Sequence, residues 1–443
     1  LDWESVMPSE KCSYIMGNPP FVGYSLQSKS QKEDILSVYV DEKGKPYKKS
    51  GKIDYVSGWY FKAVEFMQGH SIRAAFVSTN SITQGEQVAD VWQPLYERFG
   101  IHIDFAHRTF KWDSESTDKA AVHCVIIGFS GEKSGESRLY SDTQAYAVQN
   151  INPYLMDAPN VFIHSRKHPL ADVPEMVKGS SPVDGGNFFL SDEERQEIIR
   201  KEPHAEKFIK LFLGAKEYLH NLSRYCLWLV EASPAEIRRL PSVHERVEAV
   251  REFRLSSTKA ATRKYADYPA RFMELRQPTE NYILVPRHSS ENRRYIPLGF
   301  ITPEVICGDA NNMIPEATLY HFGVLESNVH MAWMRAVAGR LKSDYRYSND
   351  IVYNNFPWPN PTVPQKYAIE KSAQAILDAR ALYPDASLAD LYDPVTMPPE
   401  LLKAHRANDK AVMQAYGFWG KLNSESECVA ELMKMYEKLT HKE

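Results

Sequence analysis

Apolar positions follow two rhythms over the first third of the chain. Near-continuous apolar runs at residues 12–16 (CSYIM), 73–77, 101–105 and 121–129 (AVHCVIIGF) have the length and bounding turns of strands buried in a sheet. The run 54–68 (DYVSGWYFKAVEFMQ) instead places Val56, Trp59, Tyr60, Ala63, Val64 and Met67 at helical spacing, with Asp54 as the expected N-cap. Residues 88–99 repeat that helical rhythm. The first strand stops at Gly17-Asn18-Pro19-Pro20, because tandem prolines cannot continue a ladder, and the second stops at the polar turn Ser78-Thr79-Asn80-Ser81. Strand, helix, strand, helix, strand, strand is the order of an open α/β sheet, and the last two strands are compatible with an antiparallel hairpin at its edge. Such sheets bind ligands beyond the C-terminal ends of their strands.

From about residue 131 the texture changes. Residues 131–137 are polar and Gly/Ser-containing, and 153–186 carry Pro and Gly at many points with room only for short strands, which marks a domain boundary. Ser191 and Glu194 form an S-x-x-E capping box that opens a helix to residue 201. Residues 234–255 read as helical on either side of Pro241, and 281–286 (NYILVP) and 295–301 read as strands separated by Ser289-Ser290-Glu291-Asn292. Past Phe356-Pro357-Trp358-Pro359 the pattern is helical at 366–381, 400–416 and 426–439, with a linker at 384–399. The expected class is α/β: an open sheet over 1–150, an α+β domain over 151–360 and a C-terminal helical segment over 361–443.

Composition adjusts this picture only slightly. A chain of 443 residues suits about three domains, and 43% hydrophobic with 25% charged residues exclude a disordered or collagen-like protein. No apolar run approaches the roughly 18 residues of a membrane span, and Leu1-Asp2-Trp3-Glu4 lacks the basic start of a signal peptide, so no membrane partner and a cytoplasmic location are expected. The five cysteines (Cys12, Cys124, Cys226, Cys307, Cys428) lie far apart without a C-x-x-C pair, which argues against a disulfide framework or a thiolate zinc site. His102, His107 and His123 have no i, i+4 partner or carboxylate at ligand spacing, and no metal is expected. A net charge of −4 excludes a uniformly basic nucleic-acid coat.

Asn18-Pro19-Pro20-Phe21, directly after a strand, carries the chemistry. The exocyclic amino nitrogen of a nucleobase is a poor nucleophile because its lone pair is delocalised into the ring. A catalyst for its methylation must accept both N–H hydrogens; the Asn18 side-chain oxygen and the Pro19 carbonyl can do so, and proline fixes φ so that its carbonyl points in one direction. Phe21 would stack on the base, which in a duplex must first be flipped out of the helix. The tetrapeptide resembles the catalytic loop of the amino-methylating DNA methyltransferases, most closely those acting on adenine N6. Taken as a string, an ordinary Pro-Pro turn is the alternative.

Four segments of the first third, 17–23 (GNPPFVG), 54–60 (DYVSGWY), 76–87 (FVSTNSITQGEQ) and 105–112 (FAHRTFKW), together look like the methyltransferase region of the MmeI-like enzymes. These are single-chain restriction-modification proteins (type IIL/IIG) that join nuclease, methyltransferase and target-recognition parts. Residues 285–300 (VPRHSSENRRYIPLGF) and 349–359 (NDIVYNNFPWP) are similar to segments of that family's target-recognition region. The resemblance implies a partial Rossmann-like methyltransferase sheet, S-adenosylmethionine as methyl donor, double-stranded DNA as partner, and catalytic roles for Asn18, Pro19, Pro20 and Phe21. It also implies that a loop at 105–112 closes over the flipped adenine, with Phe110 or Trp112 stacking on it; simple packing of both rings against the sheet is the alternative. Thr79, Asn80 and Ser81 either line the pocket or cap the next helix. Transfer would be direct, since no cysteine sits in the Pro-Pro loop, and Cys12 reads as core.

One departure from the family stands out. Its Gly-rich donor loop precedes the Asn-Pro-Pro-Phe loop, whereas only 17 residues precede Asn18 here and none forms a G-x-G turn. The expectation is a C-terminal part of a larger polypeptide, inactive alone, whose upstream nuclease and donor-binding regions are its partners.

The basic residues cluster. Residues 237–298 hold thirteen Lys+Arg against seven Asp+Glu, eleven of the thirteen being Arg, which suits bidentate reading of guanine and phosphate contact. Much of this reads as a solvated helix face, but Arg287, Arg293 and Arg294 fall in a turn between strands, where DNA contact is expected. Arg335, Arg340, Lys342, Tyr345, Arg346 and Tyr347 form a second cluster, from which Tyr345 and Arg346 are DNA-contact candidates. Two rival readings stay open: a DNA-binding specificity module without catalysis, and a cytosine-N4 methyltransferase.

Overall fold

The computed structural model describes residues 2–112, 122–132, 135–141 and 144–440. Ala121, with which one expected strand begins, and Lys133 and Ser134 of the Gly/Ser stretch lie outside the described residues. By its internal contacts the chain divides into two units: residues 1–171, 332–358 and 418–443 form the first, and 172–331 with 359–417 the second. The helices at the end of the chain are shared out accordingly, Val363–Ala381 and Pro399–Tyr416 in the second unit and Glu425–Thr440 in the first.

The first unit is built on a six-stranded sheet with the order β1 (Tyr14–Gly17), β2 (Arg73–Thr79), β4 (Val122–Ser130), β3 (His102–Trp112), β5 (Ser137–Tyr140), β6 (Ala145–Val148). β1 and β2 are parallel, β4 is antiparallel to both β2 and β3, and β5 is parallel to β3. The α/β class is as the hydrophobic pattern requires, with three corrections. β1 is not buried: among the described residues it is the outermost strand, and Tyr14 and Met16 are 68% and 83% exposed. The β3–β4 hairpin is internal, because residues 137–148, where no strand is expected from the hydrophobic pattern, add two more strands. At four residues each, with burial alternating along β5, these strands are too short to register as apolar runs.

Helices Ser57–Met67 and Glu86–Phe99 pack against this sheet through aromatic side chains. The fully buried ring of Tyr60 stacks on Phe129 of β4 at 5.3 Å and meets Phe76 of β2 edge-on at 5.1 Å and Trp92 at 5.3 Å, while its hydroxyl pairs with Ser78 Oγ at 2.7 Å. Burying an aromatic body and satisfying its polar tip is what makes tyrosine tolerable at such a site. The third correction concerns the first of these helices: it begins at Ser57 with Val56 at the N-cap, and Asp54 is freed for another use described below. Gly128 is required opposite Phe105, whose ring lies where a Cβ would sit, only 2.1 Å away.

The second unit holds two four-stranded sheets, one of Ile306–Cys307, Ile209–Leu213, Tyr225–Leu227 and Phe189–Leu190, the other of Gly299–Ile301, Tyr282–Pro286, Asn311–Pro315 and Val177–Lys178. Its helix Asp192–Lys201 has both hydrogen bonds of the Ser191/Glu194 capping box, and Pro241 separates helices Pro234–Arg238 and Pro241–Leu255 as its missing N–H predicts. The strand expected at 295–301 is cut to its last three residues. Tyr295 leaves the ladder to stack on His405 at 4.0 Å and to donate to Asp409 Oδ2 at 2.6 Å, and the Leu298 N–H goes to Glu326 Oε1 at 2.8 Å. Glu326 is fully buried beside Arg380 at 2.7 Å, and burial still pushes its carboxyl up to about 7.

Arg254 departs from the solvated-face reading of its helix. It is fully buried and donates to the carbonyls of Pro182, Val183, Tyr265, Tyr268 and Arg271 at 2.7 to 3.3 Å, so its charge holds two segments, 182–183 and 265–271, against its helix. Among the described residues no helix is long and apolar enough to cross a membrane.

Candidate functional site

Strand register brings the expected catalytic residues to one edge of the sheet. Gly17, the last residue of β1, lies beside Phe76; Thr79, the last of β2, pairs with Cys124, which in turn pairs with Phe110 of β3. The C-terminal ends of β1, β2 and β3 therefore open on the same side, where open α/β sheets bind their ligands. Asn18 follows β1 directly and is exposed, Pro19 is buried, Pro20 is exposed and Phe21 is half-buried. The carboxamide is thus offered to solvent on a backbone whose next residue is fixed by proline and by packing.

Phe110 and Trp112 reach this edge, though not on a loop: residues 105–112 belong to β3, a correction to the expected element. The register against β4 is interrupted between Ile103 and Phe105 and again between His107 and Phe110. Irregularities of this kind bend a strand and re-aim its side chains. Phe110 is half-buried, 4.9 Å from the His107 ring, and Trp112 is 41% exposed with its ring 6.3 Å from Phe110. Cys124 beside them is fully buried, and burial pushes its thiol up, away from the thiolate a covalent nucleophile needs. Cys12 is half-buried with its Sγ 3.5 Å from the Tyr14 carbonyl, and is not a core residue as expected.

Residues Asn80–Thr83 form a 3-10 turn in which Asn80 is buried. Ser81 does not cap the following helix: its N-cap is Gly85, without a side-chain cap, at φ +57 and so close to Gly339 that a Cβ would lie 3.2 Å from that residue's Cα. Instead Ser81 Oγ donates to Asp54 Oδ2 and lies 2.9 Å from Thr79 Oγ1. Asp54 Oδ1 accepts the Tyr24 N–H at 2.9 Å, the Asp54 N–H goes to Gln87 Oε1 at 3.0 Å, and the Tyr55 N–H goes to the Val22 carbonyl at 2.9 Å. Sequence reasoning named Thr79 and Ser81 but missed that Asp54 ties them to the Pro-Pro loop. An acidic residue just before a helix is indistinguishable in sequence from an N-cap, and only the fold brings it 30 residues back to the Pro-Pro loop.

The arginines expected at DNA are placed unequally. In the second unit Arg294 is exposed with its guanidinium 5.7 Å over the Tyr295 ring, Arg293 is half-buried, and Arg287 Nη1 already donates to the Asp309 carbonyl at 3.0 Å. In the first unit strands Gly339–Leu341 and Asp344–Arg346 form a hairpin in which Tyr345 is 5% exposed beneath the Arg340 guanidinium, 4.1 Å away, while Arg346 is exposed. Tyr345 thus supports the hairpin, and Arg346 is the side chain presented outward. Among the described residues no three His, Cys, Asp or Glu groups stand together as a metal ion would require.

Comparison with known proteins agrees with this geometry. The family model described as MmeI, DNA-methyltransferase domain, matches residues 1–141; that of the MmeI target recognition domain matches 157–360, and that of the MmeI C-terminal domain matches 362–442. DNA methyltransferase A of Bacillus subtilis (strain 168) is 39% identical over 446 residues, covering all of this chain and 50% of that protein, so the chain spans half the length of this relative. The solved structure of the type IIL restriction-modification enzyme MmeI in complex with DNA superposes with a TM-score of 0.92 at 48% identity, over all of this chain and 59% of that one. Three domain models in sequence and one close structure along the whole chain leave a single assignment: the chain belongs to the MmeI family and carries that family's DNA-methyltransferase, target-recognition and C-terminal domains.

Proposed function

We propose that this chain supplies the base-binding and DNA-reading parts of a site-specific DNA adenine-N6 methyltransferase, within a single-chain restriction-modification enzyme. The observation that carries the proposal is the exposed Asn18 carboxamide at the C-terminal end of β1, followed by a buried Pro19, on the edge that Phe110 and Trp112 also reach. An adenine amino group directed there would donate one N–H to the Asn18 side-chain oxygen and the other to the Pro19 carbonyl. Both bonds draw the nitrogen toward a tetrahedral shape and return its lone pair from the ring, which strengthens as the new N–C bond forms and so favours the transition state over the ground state. Phe21 stacks on one face of the base, and Phe110 or Trp112 occupies the space it left or its other face, offsetting the few kcal/mol of unstacking.

The donor implied by the family is S-adenosylmethionine. Among the described residues the strand-to-helix turns lack the paired glycines that let a backbone approach a nucleoside. The residues of this chain are accordingly assigned to the acceptor side alone. Sequence reading is assigned to the family's target-recognition region, with Arg293 and Arg294 contacting DNA there and Arg346 on the hairpin.

Base flipping gives the test. With 2-aminopurine in place of the target adenine in a duplex carrying the enzyme's site, binding of the full-length protein should raise fluorescence several-fold, roughly the loss of stacking quenching expected for an extrahelical base. Phe110→Ala and Trp112→Ala should identify the stacking ring, since one of them should weaken site binding by about 1–3 kcal/mol while the other stays near wild type. Unchanged fluorescence on saturating, site-specific binding would contradict the flipping step.

A further inference from the structure

The Pro-Pro loop cannot fasten itself. Pro19 and Pro20 have no N–H to donate, and the strand the loop follows, β1, pairs among the described residues with β2 alone. Its returning arm is held instead by residues 53–55, through the Tyr24 N–H on Asp54 Oδ1, the Tyr55 N–H on the Val22 carbonyl and Gln27 Nε2 on the Ile53 carbonyl, each at 2.9 Å. The attachment made by Asp54 continues to a second strand end. Its second oxygen receives Ser81 Oγ from the turn that ends β2, so one buried carboxylate, 6% exposed, joins the loop after β1 to the turn after β2. The Ser57 N–H bonds to the Asp54 carbonyl at 3.0 Å and opens the next helix, whose N-terminal dipole favours a negative charge at this place.

We infer that Asp54 is a positioning residue for methyl transfer: it fixes the Asn18–Phe21 loop against the β2 turn so that the two acceptors stand at the amino group of the flipped base. The inference rests on the catalytic reading of the loop proposed above. Asp54 touches neither base nor donor in this account. Its contribution is geometric, and a loop acceptor displaced by about 1 Å costs about 10²-fold in rate without a comparable loss of binding.

The test uses the full-length protein, duplex DNA with its recognition site and a labelled methyl donor. It measures kcat, KM, DNA affinity by anisotropy and the thermal midpoint for Asp54→Ala, Asp54→Asn, Ser81→Ala and, as a control, Asn18→Ala. Asp54→Ala should lower kcat about 10²-fold with KM and DNA affinity within about twofold of wild type, the pattern of an interaction realised in the transition state. Asp54→Asn keeps an oxygen for the Tyr24 N–H, and Ser81→Ala keeps the carboxylate on the loop, so each should lose only about 10-fold in kcat. That partial rescue at an unchanged thermal midpoint separates positioning from mere support of the fold. If Asp54→Ala does not fold, the two milder variants decide. Wild-type kcat in both, or a fall in DNA affinity as large as the fall in rate, overturns the inference while an inactive Asn18→Ala leaves the catalytic reading standing. An active Asn18→Ala would instead remove the catalytic reading on which the inference depends.

Discussion

Asn18→Ala in the full-length protein should lower the single-turnover methylation rate by about 10²–10³-fold, the usual cost of one preorganised hydrogen-bond partner to a charge that develops in the transition state. The direction follows from what the amino nitrogen needs. With the side-chain oxygen gone, one N–H keeps its hydrogen unshared, the lone pair stays conjugated with the ring, and attack on the methyl carbon becomes harder. The effect should be confined to chemistry. Asn18 is exposed in this chain, and surface substitutions usually move stability by less than about 0.5 kcal/mol. Site-specific DNA binding should therefore persist. Asn18→Asp, which retains an acceptor oxygen in the same position, should keep more activity than Asn18→Ala. Methylation at the wild-type rate by Asn18→Ala would turn the argument toward a DNA-binding module without catalysis.

Arg254→Met should have the largest effect on stability, about 3–5 kcal/mol, because it removes a buried cation that satisfies five backbone carbonyls at once and leaves several of them without a donor. The methionine replaces the volume but offers no N–H. Arg254→Lys should recover only a small part, since a single ammonium cannot fork across five acceptors spread over two separate segments. Chemical denaturation gives the total, and hydrogen exchange gives the location: protection should fall first at residues 182–184 and 265–271, which the guanidinium holds together. A loss below about 0.5 kcal/mol, the range of an ordinary surface change, would show that the carbonyls find other partners.

These two residues also mark what could be read in the sequence and what could not. Asn18 stands out in the sequence because the chemistry proposed for it is local: a carboxamide, two prolines and an aromatic ring in one tetrapeptide after a strand. The edge it occupies was legible in outline, since near-continuous apolar runs gave β2, β3 and β4, and capping and proline signals gave helices Asp192–Lys201 and Pro241–Leu255 close to their observed bounds. Arg254 was not legible. On a helix rich in Arg and Glu it looks like one more solvated charge, and nothing in the spacing says that loops from residues 182–183 and 265–271 will close around it. Asp54 failed for the same reason in reverse, its local signal as an N-cap being stronger than its long-range use. β5 and β6 were lost because four-residue strands with one buried face leave no apolar run. The burial of Tyr345 was not legible because polar-tipped aromatics beside arginines suggest an exposed surface, whereas here the guanidinium of Arg340 covers the ring.

The central claim is that the Asn18–Phe21 loop acts on the amino group of adenine. It is tested most directly by incubating the full-length protein with unmethylated DNA and a methyl donor labelled on the transferred carbon, then hydrolysing the DNA and resolving the nucleosides by mass. The account predicts label in N6-methyladenosine of the deoxy series, and its loss in the Asn18→Ala variant. Label in N4-methyldeoxycytidine, or no labelled nucleoside from a protein that still binds its site, would contradict it.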